Sequence, residues 1–102
     1  NFVHSLDASH MMLTLVRARE AGIKSFAMIH DSFGTTAGDL EALYAIVRDA
    51  FVELYTTSDV LEDFKEEVLR LLPAESHHKL PPLPNRGTLD VSSVRDSRYC
   101  FA

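Results

Sequence analysis

Between residues 37 and 55 the apolar positions Leu40, Leu43, Tyr44, Val47, Ala50, Phe51 and Leu54 step by three and four. That spacing predicts a helix with one wide apolar face, and leaves Asp39, Glu41, Arg48, Asp49 and Glu53 mostly off it. Each large side chain buried on such a face contributes about 1.5–3 kcal/mol, so the stripe is scaffold rather than a cofactor box. Val60, Leu61, Phe64, Val68, Leu71 and Leu72 predict a further helix, started by Asp59 and ended by Pro73. Its other face, Glu62, Asp63, Lys65, Glu66, Glu67 and Arg70, reads as solvated, with Glu66 and Arg70 at i, i+4 spacing. Near the start, Met11, Met12, Leu15, Val16 and Ala18 form a one-sided stripe with Arg17, Arg19 and Glu20 outside. This stripe predicts a helix capped by Ser5 or Asp7 and stopped by Gly22 at about residue 21, with residues 1–5 as a lead-in.

The stretch SFAMIHDSFG, residues 25–34, breaks this helical rhythm. A short apolar run that ends in His30-Asp31-Ser32 and then Phe33-Gly34 predicts a β-hairpin. Residues 23–29 form the inbound strand, Phe26, Met28 and Phe33 pack, and His30-Asp31 stand at the tip. Asp31 has two readings here. It is a turn acid, because Asp tolerates the turn's backbone angles and bonds its own turn. Or it is a carboxylate delivered to a sheet edge for chemistry. After the hairpin, Thr36 and Asp39 resemble a capping box.

The remainder is less regular. Residues 74–85 are polar and then proline-rich, ending in LPPLP, and are expected to be extended or irregular. His77-His78 point apart in extended backbone and read as a solvated loop rather than a metal site. His4 and His10 are six residues apart, which is not the i, i+4 pair of a metal-binding helix, so each reads as a hydrogen-bonding residue. Asp90 starts a short helix to about residue 97. Aromatic residues so near the end of the chain, Tyr99 and Phe101, mean that the tail docks or lies in a site of a larger protein.

Composition narrows the classes. The 102 residues suffice for one domain with a modest core. A net charge of −5 excludes a chain-wide basic clamp, so any polyanion must be met at a local site or through a metal. The single cysteine, Cys100, excludes an internal disulfide framework. No apolar run approaches about 20 residues, the length of a membrane span. The chain opens on Asn1-Phe2-Val3 rather than Met, which reads as the middle of something longer.

Three stretches carry a resemblance: NFVHSLDASHMMLT at the start, SFAMIHDSFGT in the middle, and LPPLPNRGTLDVSSVRDSRYCFA at the end. In this order and at these separations the chain resembles the C-terminal end of the single-subunit RNA polymerases of phage and mitochondrial type. The resemblance covers essentially the whole chain. It implies an α+β, mostly helical fold. Helices flank a β-hairpin that carries a palm motif, within the palm and fingers of a right-hand polymerase. Residues 1–72 would form that segment, and residues 73–102 an extended proline-rich tail ending near the active site.

The resemblance implies that Asp31 is one of two aspartates holding Mg²⁺, with His30 near the primer end. His4 would lie by the nascent base pair and the incoming ribose, and Phe101 and Ala102 would fold back toward the substrate. No role is carried onto Cys100. Template, transcript and ribonucleoside triphosphates are the implied partners, together with the rest of the polymerase chain and no membrane. The family's other metal-binding aspartate lies in an earlier palm motif, so the isolated chain is expected to be inactive. SFGT after Asp31 looks phage-like, which points to the cytoplasm of an infected bacterial host. SHMMLT at residues 9–14 looks organellar, which keeps mitochondrion or plastid as the alternative. Two further readings stand beside this one: a fragment of a right-hand DNA polymerase, and a non-catalytic helical module that binds a protein. A self-sufficient module would protect the hairpin's amides, whereas a piece of a larger sheet would not.

Overall fold

Helix α1 runs from Phe2 to Glu20, in a computed structural model that describes residues 1–100. The sequence-based roles of Phe101 and Ala102 therefore lie outside the described residues. The helix begins earlier than expected, and its N-cap Asn1 makes no side-chain capping bond. Ser5 does not cap; its hydroxyl donates back to the Phe2 carbonyl at 2.7 Å, inside the helix. The other end matches the sequence closely. Gly22 takes φ of +93°, its N–H bonds the Arg19 carbonyl, and the Ile23 N–H bonds the Ala18 carbonyl. This is the Schellman closure that glycine permits without steric cost.

Of the expected stripe, α1 buries only Ala18 fully, with Met11 and Leu15 half-buried. The buried residues are His10, Thr14 and Ala18, one turn apart, while Met12 and Val16 are about half exposed. The reason lies across the interface. The His10 Nε2–H donates to the Val47 carbonyl at 2.9 Å, and its ring meets Phe33 and Phe51 edge-on at 5.6 and 5.5 Å. A satisfied histidine can thus occupy the centre of an otherwise apolar contact.

Strands β1 (Ala27–Ile29) and β2 (Ser32–Gly34) form a two-residue hairpin, paired Ala27 to Gly34, Met28 to Phe33 and Ile29 to Ser32. The inbound strand is shorter than expected, because residues 23–26 are irregular. The Thr35 hydroxyl donates to the Ser25 carbonyl at 2.7 Å and ties the hairpin's base. Among the described residues the sheet has only these two strands. Two strands of three residues are marginal on their own. In the isolated chain, the hairpin amides are expected to exchange at least about a hundredfold faster than those in the middle of the long second helix. Protection equal to that of the helix would favour a self-sufficient module.

A 3₁₀ turn, Ala37–Asp39, leads into α2 (Leu40–Thr57). Thr36 and Asp39 bond each other through their side chains at 3.1 Å, rather than reciprocally through backbone as in a capping box. The core is Ala18, Ile23, Leu43 and Val47, with Phe26, Phe33 and Ile46 packed against it. Leu40 and Tyr44, expected on the apolar face, are about half exposed. Arg48, expected on the outside, is 5% exposed. Across the α1–α2 contact, Arg17 forks onto both carboxylate oxygens of Glu53 and also pairs with Glu20. The Arg17 contact holds the Glu53 carboxyl below its ordinary value.

Helix α3 (Val60–Leu71) starts where Asp59 accepts from the Glu62 N–H at 3.2 Å. None of its residues is fully buried. Its anchor to α1 is the Phe2–Phe64 ring contact, centroids 4.5 Å apart. Beyond Pro73, residues 74–79 wind into a 3₁₀ turn rather than an extended strand, with His77 Nε2 bonded to the Leu72 carbonyl at 3.0 Å. The proline-rich stretch then runs without regular structure, pinned where Arg86 pairs with Asp59. A last 3₁₀ turn, Val91–Asp96, is capped by Asp90 through the Ser92 N–H, as expected. The residues after it dock on α2.

Candidate functional site

The hairpin tip consists of His30 and Asp31, and His30 has φ of +54°. A left-handed residue at the first loop position is what a two-residue hairpin asks for, and Gly or Asn normally supplies it. A histidine there costs about 1 kcal/mol, so the turn alone does not account for its presence. Asp31 comes next, exposed, on a hairpin held by its strand pairing and the Thr35 tie.

His30 turns back toward α1. Its Nδ1 lies 4.0 Å from Asp7 Oδ2, an ion-pair distance if the imidazole is protonated. With side chains 85% and 40% exposed, the pair contributes little to stability. Between hairpin and helix lies an open cleft of about 590 Å³, walled by His4, Asp7 and Met11 from α1 and by Met28, Ile29 and His30 from the hairpin. His4 and His30, 26 positions apart in sequence, thus face one space. Asp31 stands at the tip beside this cleft but not in its wall. Asp7, read from sequence only as a possible helix cap, is an additional charged group in it. The i to i+3 spacing of His4 and Asp7 on one helix face was the signal available for it.

Asp31 offers the hard oxygen donor that magnesium prefers. Among the described residues, no three His, Cys, Asp or Glu side chains converge as a metal site. A magnesium ion takes one or two carboxylates and fills its remaining positions with water and substrate phosphate, so the chain's own donors fit part of such a shell. Burial pushes the Cys100 thiol upward more than the nearby Arg48 charge draws it down. Among the described residues, no helix is long and apolar enough to cross a membrane.

The tail borders a separate cavity. Residues 98–100 share a cavity of about 290 Å³ with Phe33 of β2 and with Leu43 and Val47 of α2. Sequence reading missed Arg48, which also lines this cavity. Its signal would have been a single cation inside an apolar face, which charge counting assigns to solvent.

Comparison with known proteins agrees with the pattern of the three stretches. A DNA-directed RNA polymerase of Enterobacteria phage T3 is 45% identical over 103 residues, spanning 100% of this chain and 12% of that protein. The DNA-directed RNA polymerase 2, chloroplastic/mitochondrial, of Arabidopsis thaliana is 48% identical over 101 residues, 99% of this chain and 10% of that protein. DNA-directed RNA polymerase 1A of Nicotiana tabacum is 45% identical over 99% of this chain, which spans 62% of it. The chain therefore spans about a tenth of the first two relatives. Residues 1–79 match the family of DNA-dependent RNA polymerases, and the chain belongs to that family.

Proposed function

We propose that the chain is the C-terminal palm-and-fingers part of a single-subunit DNA-directed RNA polymerase, and that it supplies half of a two-metal site for template-directed nucleotidyl transfer. The observation that carries the reading is the cleft shared by His4 and His30, beside a tip that exposes Asp31. Two stretches far apart in sequence converge there, and they are two of the three on which the family resemblance rests. The cavity that the tail shares with Phe33 of the hairpin supports a tail that acts beside the hairpin.

In this reading Asp31 holds Mg²⁺ through its carboxylate, and the partner aspartate comes from another part of the polymerase. Magnesium, when bound, supplies charge stabilisation for the transferring phosphoryl group. His30 orients the transcript's end from the tip. His4, on the opposite wall, contacts the incoming ribonucleotide. Phe101 and Ala102 complete the substrate's surroundings. The template, the transcript and the remainder of the chain are the partners. These relatives come from a phage and from plants, one of them labelled chloroplastic/mitochondrial, and identities of 45–48% do not separate a phage-infected cytoplasm from an organelle.

The test uses the whole polymerase with Fe²⁺ in place of Mg²⁺, together with ascorbate and peroxide, so that radicals cut the backbone beside the metal. Cleavage is expected within residues 28–34 and is expected to vanish in Asp31→Asn. Cleavage confined to other segments would remove the tip from the metal site.

A further inference from the structure

Arg48 is a buried cation whose partners, among the described residues, are carbonyl groups rather than carboxylates. Its Nε and Nη2 donate to the Ser97 carbonyl at 3.3 and 3.1 Å, and its Nη1 donates to the Tyr44 carbonyl at 3.1 Å. The guanidinium carbon sits 3.3 Å from the centroid of the Tyr44 ring. The Tyr44 hydroxyl adds bonds to the Ser97 and Arg98 carbonyls at 3.2 and 3.4 Å. Nearby, Arg95 Nε pairs with Asp49 at 2.8 Å.

Burying a charge is expensive, and an apolar residue would pack this helix face at lower cost. What an apolar residue cannot do is hold a chain segment by its backbone. Arg is suited to that task, because its planar fork presents two donors to one acceptor and its face stacks on an aromatic ring. The residues that follow the held carbonyl, 98–100, line a cavity that Phe33 lines too. Phe33 lies two residues from Asp31 and packs against the core. The residues that bond Ser97, the tail and the hairpin's Phe33 thus surround one cavity.

We infer that Arg48 is a positioning residue: its guanidinium clamps the Ser97 carbonyl and so fixes the carboxy-terminal segment beside the hairpin that carries His30 and Asp31. The functional half of this inference rests on the nucleotidyl-transfer reading of that hairpin. The structural half does not. If the tail helps to bind the incoming nucleotide, releasing it lowers the fraction of binding-competent enzyme, and the apparent affinity falls by that fraction. The chemical step, once the nucleotide is bound, is left alone.

The experiment is made on the whole polymerase with Arg48→Lys, which keeps the charge and loses the fork. Two quantities are read: peptide-resolved hydrogen exchange, and the KM and kcat for nucleotide addition. The amides of residues 91–100 are expected to exchange about tenfold faster, while those of α1 and α2 are unchanged. Nucleotide KM is expected to rise by about the same factor, with kcat within about twofold. Tyr44→Phe, which keeps the ring and loses one donor, is expected to move both readouts the same way by about two- to threefold. Unchanged exchange at residues 91–100 in both variants overturns the clamp. Loss of protection spread through α1 and α2 also overturns it, and makes Arg48 a residue of the general fold. Faster exchange with an unaltered nucleotide KM overturns the functional half. Should Asp31→Asn retain normal elongation, the nucleotidyl-transfer reading fails, while the exchange arm still decides the clamp.

Discussion

Asp31→Asn in the whole polymerase is expected to reduce nucleotide addition by about a thousandfold or more, while template binding stays within about threefold of the parent. The two readings of Asp31 make opposite predictions for this one substitution. If Asp31 is only a turn residue, Asn replaces it well, because Asn tolerates the same backbone and makes the same local bonds. If it holds a metal, Asn is a poor substitute: it keeps one carbonyl oxygen and loses the charge that binds Mg²⁺. Two-metal catalysis then loses the ion that stabilises charge at the reacting oxygens, a loss of several kcal/mol in barrier. Template affinity comes mainly from cationic contacts to phosphate, which this acid does not make. Stability should not change, since the side chain is exposed at a loop tip. Single-turnover extension of a preformed primer, read beside a template-binding titration, separates the outcomes. Near-normal extension would remove Asp31 from the metal site.

The second large effect is on stability. Leu43 is 1% exposed, at the centre of the cluster formed with Ala18, Ile23 and Val47. Leu43→Ala removes apolar contact and leaves a cavity between α1 and α2, a change that costs about 2–5 kcal/mol. Against a total of about 5–15 kcal/mol for an ordinary domain, this is a large fraction. Leu40, one turn earlier on the same predicted stripe, is 55% exposed, and Leu40→Ala should cost less than about 1 kcal/mol. Urea denaturation of the two variants beside the parent chain measures the difference. Equal losses would mean that the α1–α2 contact is centred elsewhere on α2.

Part of the local chemistry was readable from the sequence, and contact across the chain was not. Asp59 and Asp90 cap the helical turns that begin beside them, because a cap needs only its own next few residues. Gly22 closes α1 for the same reason. The hairpin and its tip were legible because pairing across a two-residue loop is also local. By contrast, the buried side of α1 depends on a carbonyl 37 positions away. His10 finds the Val47 carbonyl there, so His10 and Thr14 are buried where Met12 and Val16 were expected. Arg48 is buried because of a carbonyl 49 positions away. Nothing in the periodicity of α2 announces either partner. Of the candidate site, the hairpin tip was legible as a turn. That His4, Asp7 and His30 face one cleft required the angle at which α1 meets the hairpin.

The clamp at Arg48 has a consequence for how the end of the chain can diverge. It grips a main-chain carbonyl, and every amino acid offers the same one. The hold on residue 97 is therefore indifferent to the side chains around it. Exchanging the side chains of Arg98, Tyr99 or Cys100 would leave the bonds to the Ser97 carbonyl in place.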